Sequence, residues 1–285
     1  MTAPSATPGS AADLTKPPTA RRRGAFSGLL PNRMLHHREP RWWQEIAIIG
    51  FCYWLYSEIR NLVPEQETIA FRHARSIQHL QDRLHLNFER SLNDFVARHE
   101  PVAQVMNYYY ATLHFIVTVG VLIWLYHAHS RVYRGARTVL FATSLIALAG
   151  FYLYPLAPPR LLPQYGYVDT LAYFHTWGSL ADPKVAAHSN QFAAMPSLHI
   201  GWSLWCGVAV FLCARQWWVR LLGAAYPWCT LMVIVGTANH FIIDAVAGLL
   251  VFLAACGIQY LMSGHSAFGK APHRPTPDDQ PAGAS

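Results

Sequence analysis

Two histidines stand in stretches otherwise suited to hydrocarbon. His199 lies in AAMPSLHIGWS, residues 193–203, inside thirty consecutive residues, Val185 to Ala214, that contain no Lys, Arg, Asp or Glu. His240 lies in ANHFIID, residues 238–244, four positions before Asp244, a spacing that puts both on one face of a helix. An aspartate so placed accepts the imidazole N–H and leaves the other ring nitrogen nucleophilic. A third polar element is YPLAPPRLLP, residues 154–163, whose Arg160 carries a planar donor fork suited to phosphate. Pro196 suits the first turn of a helix, and a helix starting there presents the N–H groups of Ser197, Leu198 and His199 to an anion, phosphate especially.

A membrane must hold these residues. Hydrophobic residues make up 53% of the 285-residue chain and charged ones 13%, with 10 Trp and 14 Tyr, which is too apolar and aromatic for an ordinary soluble domain. A membrane helix needs about 20 mostly apolar residues to cross roughly 30 Å of hydrocarbon. Pro101 to Ser130, Thr138 to Pro159, Val185 to Ala214, Leu221 to Ile243 and Ala245 to Gly269 are free of charge and long enough, the third containing some loop before Pro196. A further segment, about Glu45 to Val63, is apolar at its centre and carries Glu58 and Arg60 near one end.

The expectation is an all-α bundle of six transmembrane helices over residues 42–262. Residues 1–41 and 263–285 read as disordered cytoplasmic tails, rich in Pro, Ala, Ser and Arg or in Pro and Asp without apolar periodicity. RRRGAF at 21–26 is followed by PNRMLHHREPRWW where a signal peptide would have its apolar core, so no cleaved signal peptide is expected. The five cysteines, at 52, 206, 213, 229 and 256, all lie in apolar runs and read as packing residues, not a disulfide framework.

Between the first two spans, residues 65–100 place Ile69, Ile77, Leu80, Leu84, Phe88, Leu92, Phe95 and Val96 at helical spacings among charges. Two readings stand: amphipathic helices lying on the outer membrane surface, or a cap packed on the bundle. Six spans put 14 of the 22 Lys and Arg on the side of both termini, which makes that side cytoplasmic. The net charge of +7 then has a topological origin, and no nucleic-acid partner is needed to account for it. Under this topology the three polar elements meet on the extracytoplasmic side, and Arg60 joins them as a candidate phosphate-binding charge or an interfacial residue paired with Glu58.

APPR at 157–160, PSLH at 196–199 and H-x-x-x-D at 240–244, in that order, resemble the type 2 phosphatidic acid phosphatase superfamily. They are most similar to its inositol phosphorylceramide synthase-like branch of inositolphosphotransferases in bacterial membranes, as is NYYYATLHFIVT at 107–118. The resemblance covers roughly residues 138–260. It implies that His240 is the nucleophile that takes the phosphoryl group and that Asp244 orients it. It implies further that His199 protonates the leaving alcohol, while Arg160 and the groups around Ser197 and Leu198 hold the phosphoryl oxygens.

The chain departs from the usual phosphatase pattern at four positions. Leu153 stands where that pattern has Lys, Leu161 where it has Pro, Ile234 where it has Arg and Leu198 where it has Gly. The phosphotransferase branch shares the loss of two cations, so the departures favour a transferase of phosphoryl or phosphoinositol-type head groups, acting on a membrane lipid phosphate within the bilayer. Hydrolysis, with water as the acceptor, uses the same residues and stays open.

His114, His127 and His129 read as helix-packing residues, and Asn239, His175 and His188 fall on the outer side without an assigned role. Two rivals come from other classes. Fifteen His could supply axial ligands to a membrane cytochrome, with His199 and His240 facing each other across haem, yet Arg160 and Asp244 serve phosphate better than iron. A non-catalytic scaffold or transporter is the other. No metal or cofactor is expected, since the two histidines lack a third convergent ligand, and oligomeric state is not encoded in any of these features. A reporter fused after Ser285 should prove cytoplasmic and one inserted near Tyr165 extracytoplasmic in a protease-protection assay; the opposite result would reverse the orientation.

Overall fold

A computed structural model describes residues 67–86, 88–176 and 191–269, with scattered positions between 41 and 54. Arg60, His188, most of the expected first span and most of both expected tails lie outside the described residues. Among the described residues the chain is helical apart from turns and one isolated parallel bridge between Leu156 and Ala193. The helices are α1 (Glu67–Arg83), α2 (Phe88–Arg98), α3 (Glu100–Tyr108), α4 (His114–Ala128), α5 (Ser130–Leu153), α6 (Thr170–Tyr173), α7 (Leu198–Cys213), α8 (Trp217–Gly236) and α9 (Ile242–Ser263).

Four of the rods are long and apolar enough to cross a membrane: Glu100–Ala128, in which a π-helical turn at Tyr109–Leu113 joins α3 to α4, then α5, α8 and α9. Here α7 departs from the six-span expectation. Its 16 residues extend only about 24 Å at 1.5 Å per residue, because residues 191–197 of the charge-free run form turns and the helix starts only at Leu198. The apolar side chains on the outside of the rods, such as Val105, Ile116, Leu153 and Leu250, are well exposed, as a lipid-facing surface requires. Inside, Trp205 is fully buried and its indole N–H donates to Ala136 O at 2.7 Å, while Trp202 donates to Ser144 Oγ at 3.0 Å. Such interhelical bonds satisfy polar groups where water is excluded. Ala267 and Phe268 are buried in the same core, so the packed chain runs past Ser263, where a free tail was expected.

The amphipathic segment settles onto the bundle as a cap. It does so with only part of the apolar stripe read in the sequence, Ile77, Leu92 and Val96. Ile69, Leu80, Leu84, Phe88 and Phe95 are exposed, whereas Gln78, Gln81, Glu89 and Asn93 are buried beside Ala70, Ala74, Ile77 and Val96. The physical reason lies in what the bundle offers at its mouth, namely helix ends with unpaired N–H and C=O groups that need polar partners. The cap is also tied by its backbone, Ala157 N–H donating to Ala70 O at 3.3 Å, and by His73 Nδ1, whose N–H donates to Pro155 O at 2.8 Å.

Two glycines let α5, α7 and α9 close up. A Cβ at Gly150 of α5 would lie 2.5 Å from Pro196 Cδ, and one at Gly248 of α9 would lie 2.4 Å from Ser197 O. Pro196 therefore packs against α5 one residue ahead of the N-cap Ser197, and not in the first turn of α7 as the sequence suggested. Gly248→Ala should force the start of α7 away from α9 and lower activity at least tenfold. Gly257→Ala, at a helix site with no atom within 4 Å of an added Cβ, should leave activity unchanged in the same assay and stabilise slightly; equal behaviour of the two variants would show that the close approach is unimportant.

Candidate functional site

His240 sits in the short connection between α8 and α9. The amides of Asn239 and His240 both donate to Ile234 O, at 2.9 and 3.2 Å, which folds the connection back over the end of α8. This requires Ala238 to adopt φ +53, a left-handed conformation that costs about 1–3 kcal/mol without glycine and that clusters at functional sites. Ala238 O then accepts the Arg160 amide at 2.8 Å. The APPR loop is thus pinned directly to the loop that carries His240.

The His240 ring has two acceptors on one side. Its Nδ1 lies 2.9 Å from Ala194 O and 3.5 Å from Asp244 Oδ2. A carbonyl oxygen only accepts, so Nδ1 carries the proton and Nε2 keeps its lone pair. Asp244 was expected to be the orienting partner, but the nearer one is the Ala194 carbonyl. Asp244 Oδ2 spends its strong bond on the Phe241 amide at 2.9 Å, capping α9, and Oδ1 is buried without a partner. Burial, reinforced by the Arg160 charge and opposed by the bond to Ala194, lowers His240 to about 4, so the imidazole is neutral near pH 7.

Arg160 is buried, and one arm is held by Asp169 at 2.9 Å. Asp169 is also the N-cap of α6, accepting from the Ala172 amide at 3.1 Å. Arg160 Nε remains buried and unpartnered. The Ser197 amide, expected to face a phosphate, instead donates to Asp244 O at 3.0 Å. What Ser197 has left is its hydroxyl, buried without a partner. Leu198 and the two residues after it open α7, with first-turn N–H groups that have no intrahelical acceptor.

His199 projects from that first turn into a column of rings. It stacks on Tyr110 at 4.3 Å and 15°, and its other neighbours are His114 at 4.6 Å and His240 at 5.6 Å between ring centroids. His114 in turn stacks on Trp202 at 5.4 Å and 8°. Tyr110 belongs to the π-helical turn and His114 follows it directly; such turns are frequent at functional sites. His114, read from the sequence as a packing residue, is 1% exposed with both ring nitrogens unpartnered beside His199. Asp169 and Tyr110 are neighbours the sequence did not single out and His114 one it read only as packing, although NYYYATLHFIVT contained both Tyr110 and His114.

Other sequence candidates fall further out. Asn239 is buried and turned onto Thr237 Oγ1 at 2.8 Å. Where the phosphatase pattern has cations, Leu153 is 76% exposed and Ile234 is fully buried in the core. The site is therefore built from backbone amides, hydroxyl, imidazoles and the Arg160 guanidinium.

The sequence profile of the PAP2 superfamily matches residues 75–258, a stretch that holds every described residue of this site. Phosphoinositol dihydroceramide synthase of Bacteroides thetaiotaomicron is 27% identical over 174 residues, which is 54% of this chain and 55% of that protein. The chain thus spans about half the length of that curated relative. No solved structure matches it significantly. The synthase similarity agrees with the inositol phosphorylceramide synthase-like character of the motifs, and its four apolar rods make the chain an integral membrane protein. Arg160, His199, His240 and Asp244 gathered at the mouth of such a bundle, inside a match that covers well over half of the sequence, are how this chain belongs to the PAP2 superfamily.

Proposed function

We propose that the protein is a lipid phosphotransferase that moves a phosphoryl or phosphoinositol-type head group through a phosphohistidine. The observation that carries this reading is the clustering of buried, unpartnered polar atoms around His240: Arg160 Nε, Ser197 Oγ and His199 Nε2. Buried polar groups without partners are few in folded proteins and call for a reason; two of these three are donors beside a common site, as an oxyanion requires.

In the first half-reaction His240 Nε2 attacks phosphorus, the phosphorus–oxygen bond to the leaving alcohol breaks, and His199 gives that oxygen its proton. In the second, the acceptor hydroxyl attacks phosphorus, returns a proton to His199 and frees His240. Arg160 and the opening turn of α7 neutralise the charge that builds on the non-bridging oxygens. Asp244 and Ala194 O hold the ring while it becomes cationic. The distribution of Lys and Arg supports an extracytoplasmic side for this chemistry. Similarity to a phosphoinositol dihydroceramide synthase favours an alcohol over water as acceptor, and purified protein given phosphatidylinositol with and without a long-chain alcohol decides between them. Free head-group phosphate as the sole product would establish hydrolysis.

Three variants test the assignment of roles. His240→Ala should abolish acid-labile, base-stable labelling of the protein by a phosphate-labelled lipid, and label that persists would sink the assignment. His199→Ala should slow an alkoxide leaving group by on the order of 10² to 10⁴ and partly spare an activated one such as nitrophenol. Arg160→Lys should lose most turnover while remaining folded, because an ammonium cannot reproduce a bidentate contact; near-normal turnover would reduce Arg160 to a structural partner of Asp169.

A further inference from the structure

Glu89 lies on α2, in a segment without any catalytic motif, yet it is 1% exposed. Three donors converge on its carboxylate: the Ile242 amide on Oε1 at 2.6 Å, and Gln81 Nε2 at 2.9 Å and Tyr167 OH at 3.2 Å on Oε2. Gln81 Oε1 accepts the next amide, Ile243, at 3.4 Å. Ile242 is the first residue of α9, so the cap closes the N-terminus of the helix that carries Asp244. One turn along α2, Asn93 is fully buried and donates to Gly236 O, the last residue of α8, at 2.9 Å. Its other contacts are Val168 O at 3.1 Å and the Val168 amide at 2.8 Å. The connection bearing His240 is therefore gripped at both ends by two side chains of one short helix.

We propose that Glu89, with Asn93, is a positioning residue for His240, fixing the spacing between the end of α8 and the start of α9 and hence the line along which Nε2 approaches phosphorus. The inference rests on the phosphohistidine reading. Glu89 touches no reacting atom. It acts through the backbone of α9, and a misplacement of about 1 Å is worth on the order of 10²-fold in rate. A carboxylate suits the task because it accepts on both oxygens, whereas the side-chain amide introduced by Glu89→Gln would turn an N–H toward one of the three donors already there.

Charge makes the grip depend on pH. Burial raises Glu89 to about 7 against the three hydrogen bonds, and the nearby Asp244 charge adds to the rise. Gln78, Gln81 and Asp82 from α1, Arg90 from its own helix, Tyr167 and Asp244 are the polar groups around it. Ionised, it accepts from Ile242 and Gln81 with its full charge and shares the Tyr167 hydrogen with Gln78 Oε1; protonated, it gives its hydrogen to the Tyr167 oxygen and loses the charge that strengthens its hold on the Ile242 amide. Turnover should fall as pH drops through about 7. Stability moves the other way: the folded state binds this proton more tightly than the unfolded one between the ordinary value of 4.5 and about 7, so acidification across that window favours the fold. Lost turnover with retained or raised thermal stability separates positioning from unfolding.

The experiment compares wild type with Glu89→Gln, Glu89→Ala and Asn93→Ala, using phosphatidylinositol radiolabelled in its phosphate in detergent micelles. Glu89→Gln should lower kcat on the order of 10- to 100-fold with KM within about threefold, and should hold that lower value without the limb near pH 7. Asn93→Ala should lower kcat and keep the limb. Hydrogen exchange at the Ile242 and Ile243 amides should accelerate in Glu89→Ala, a reading that needs no chemistry. A KM that rises in step with the loss of kcat, a limb that survives Glu89→Gln, or unchanged exchange at Ile242 would each overturn the proposal. Wild type that turns over without labelling would overturn the phosphohistidine reading instead, and the exchange measurement would still decide whether Glu89 holds α9.

Discussion

The bond from the Ser197 amide to the Asp244 carbonyl, 3.0 Å long, ties the first turns of α7 and α9 together, and the rest of the site is arranged around that junction. It forms because Gly248 lets the two backbones approach to a distance at which an added Cβ would meet Ser197 O at 2.4 Å. Once it forms, His199 and His240 are carried on neighbouring helix ends with rings 5.6 Å apart. The loop just before Ser197 then delivers Ala194 O to His240 Nδ1. One close approach thereby sets the separation of the two imidazoles of the candidate site and the tautomer of one of them.

A polar site inside an apolar bundle carries a general cost. Each amide, hydroxyl or charge removed from water without a partner loses several kcal/mol in the least polar surroundings, so helix ends near the hydrocarbon must be capped from within the protein. The cap formed by α1 and α2 meets this need with Gln81, Glu89 and Asn93, all buried, and leaves Leu80, Leu84, Phe88 and Phe95 outside. Tyr167 and Asp169 extend the same logic, the first bonding Gln78 Oε1 at 3.1 Å and the second bonding Arg160. Where capping stops, at Arg160 Nε, Ser197 Oγ, His199 Nε2 and both His114 nitrogens, the protein has polar groups to spare for a ligand.

The aromatic column gives His199 a different kind of support. Tyr110 and His114 flank its ring, with Trp202 beyond, so the imidazole is held by faces where hydrogen bonds are scarce. An imidazolium against the face of Tyr110 gains a cation–π attraction without a fixed countercharge. That arrangement leaves its Nε2 free for the proton exchange proposed for it. It also explains the π-helical turn, because inserting one residue into the Glu100–Ala128 rod re-aims the ring-bearing face at α7.

The class of the molecule and the outline of its chemistry are legible along the chain. Charge-free intervals reported rods because hydrocarbon tolerates little else, and Pro101 to Ser130 became Glu100–Ala128 almost unchanged. The start of α5 shifted from Thr138 back to Ser130, since Arg131, Arg134 and Arg137 lengthen the helix beyond the apolar stretch. The His240 and Asp244 spacing, PSLH and APPR were legible because their meaning is local, a turn of helix or a few residues of loop. Which polar groups those residues meet depends on contacts between distant parts of the chain. Glu89 and Ile242 are 153 positions apart, Asn93 and Gly236 143 apart, and His240 and Ala194 46 apart. Periodicity reports the phase of a helix against an average apolar neighbour, and it read the cap by its apolar stripe. The bundle kept Ile77, Leu92 and Val96 of that stripe inside and turned Gln81, Glu89 and Asn93 in beside them, because the nearest unpaired groups were the ends of α8 and α9, and a buried backbone group selects a polar partner whatever lies beside that partner in sequence.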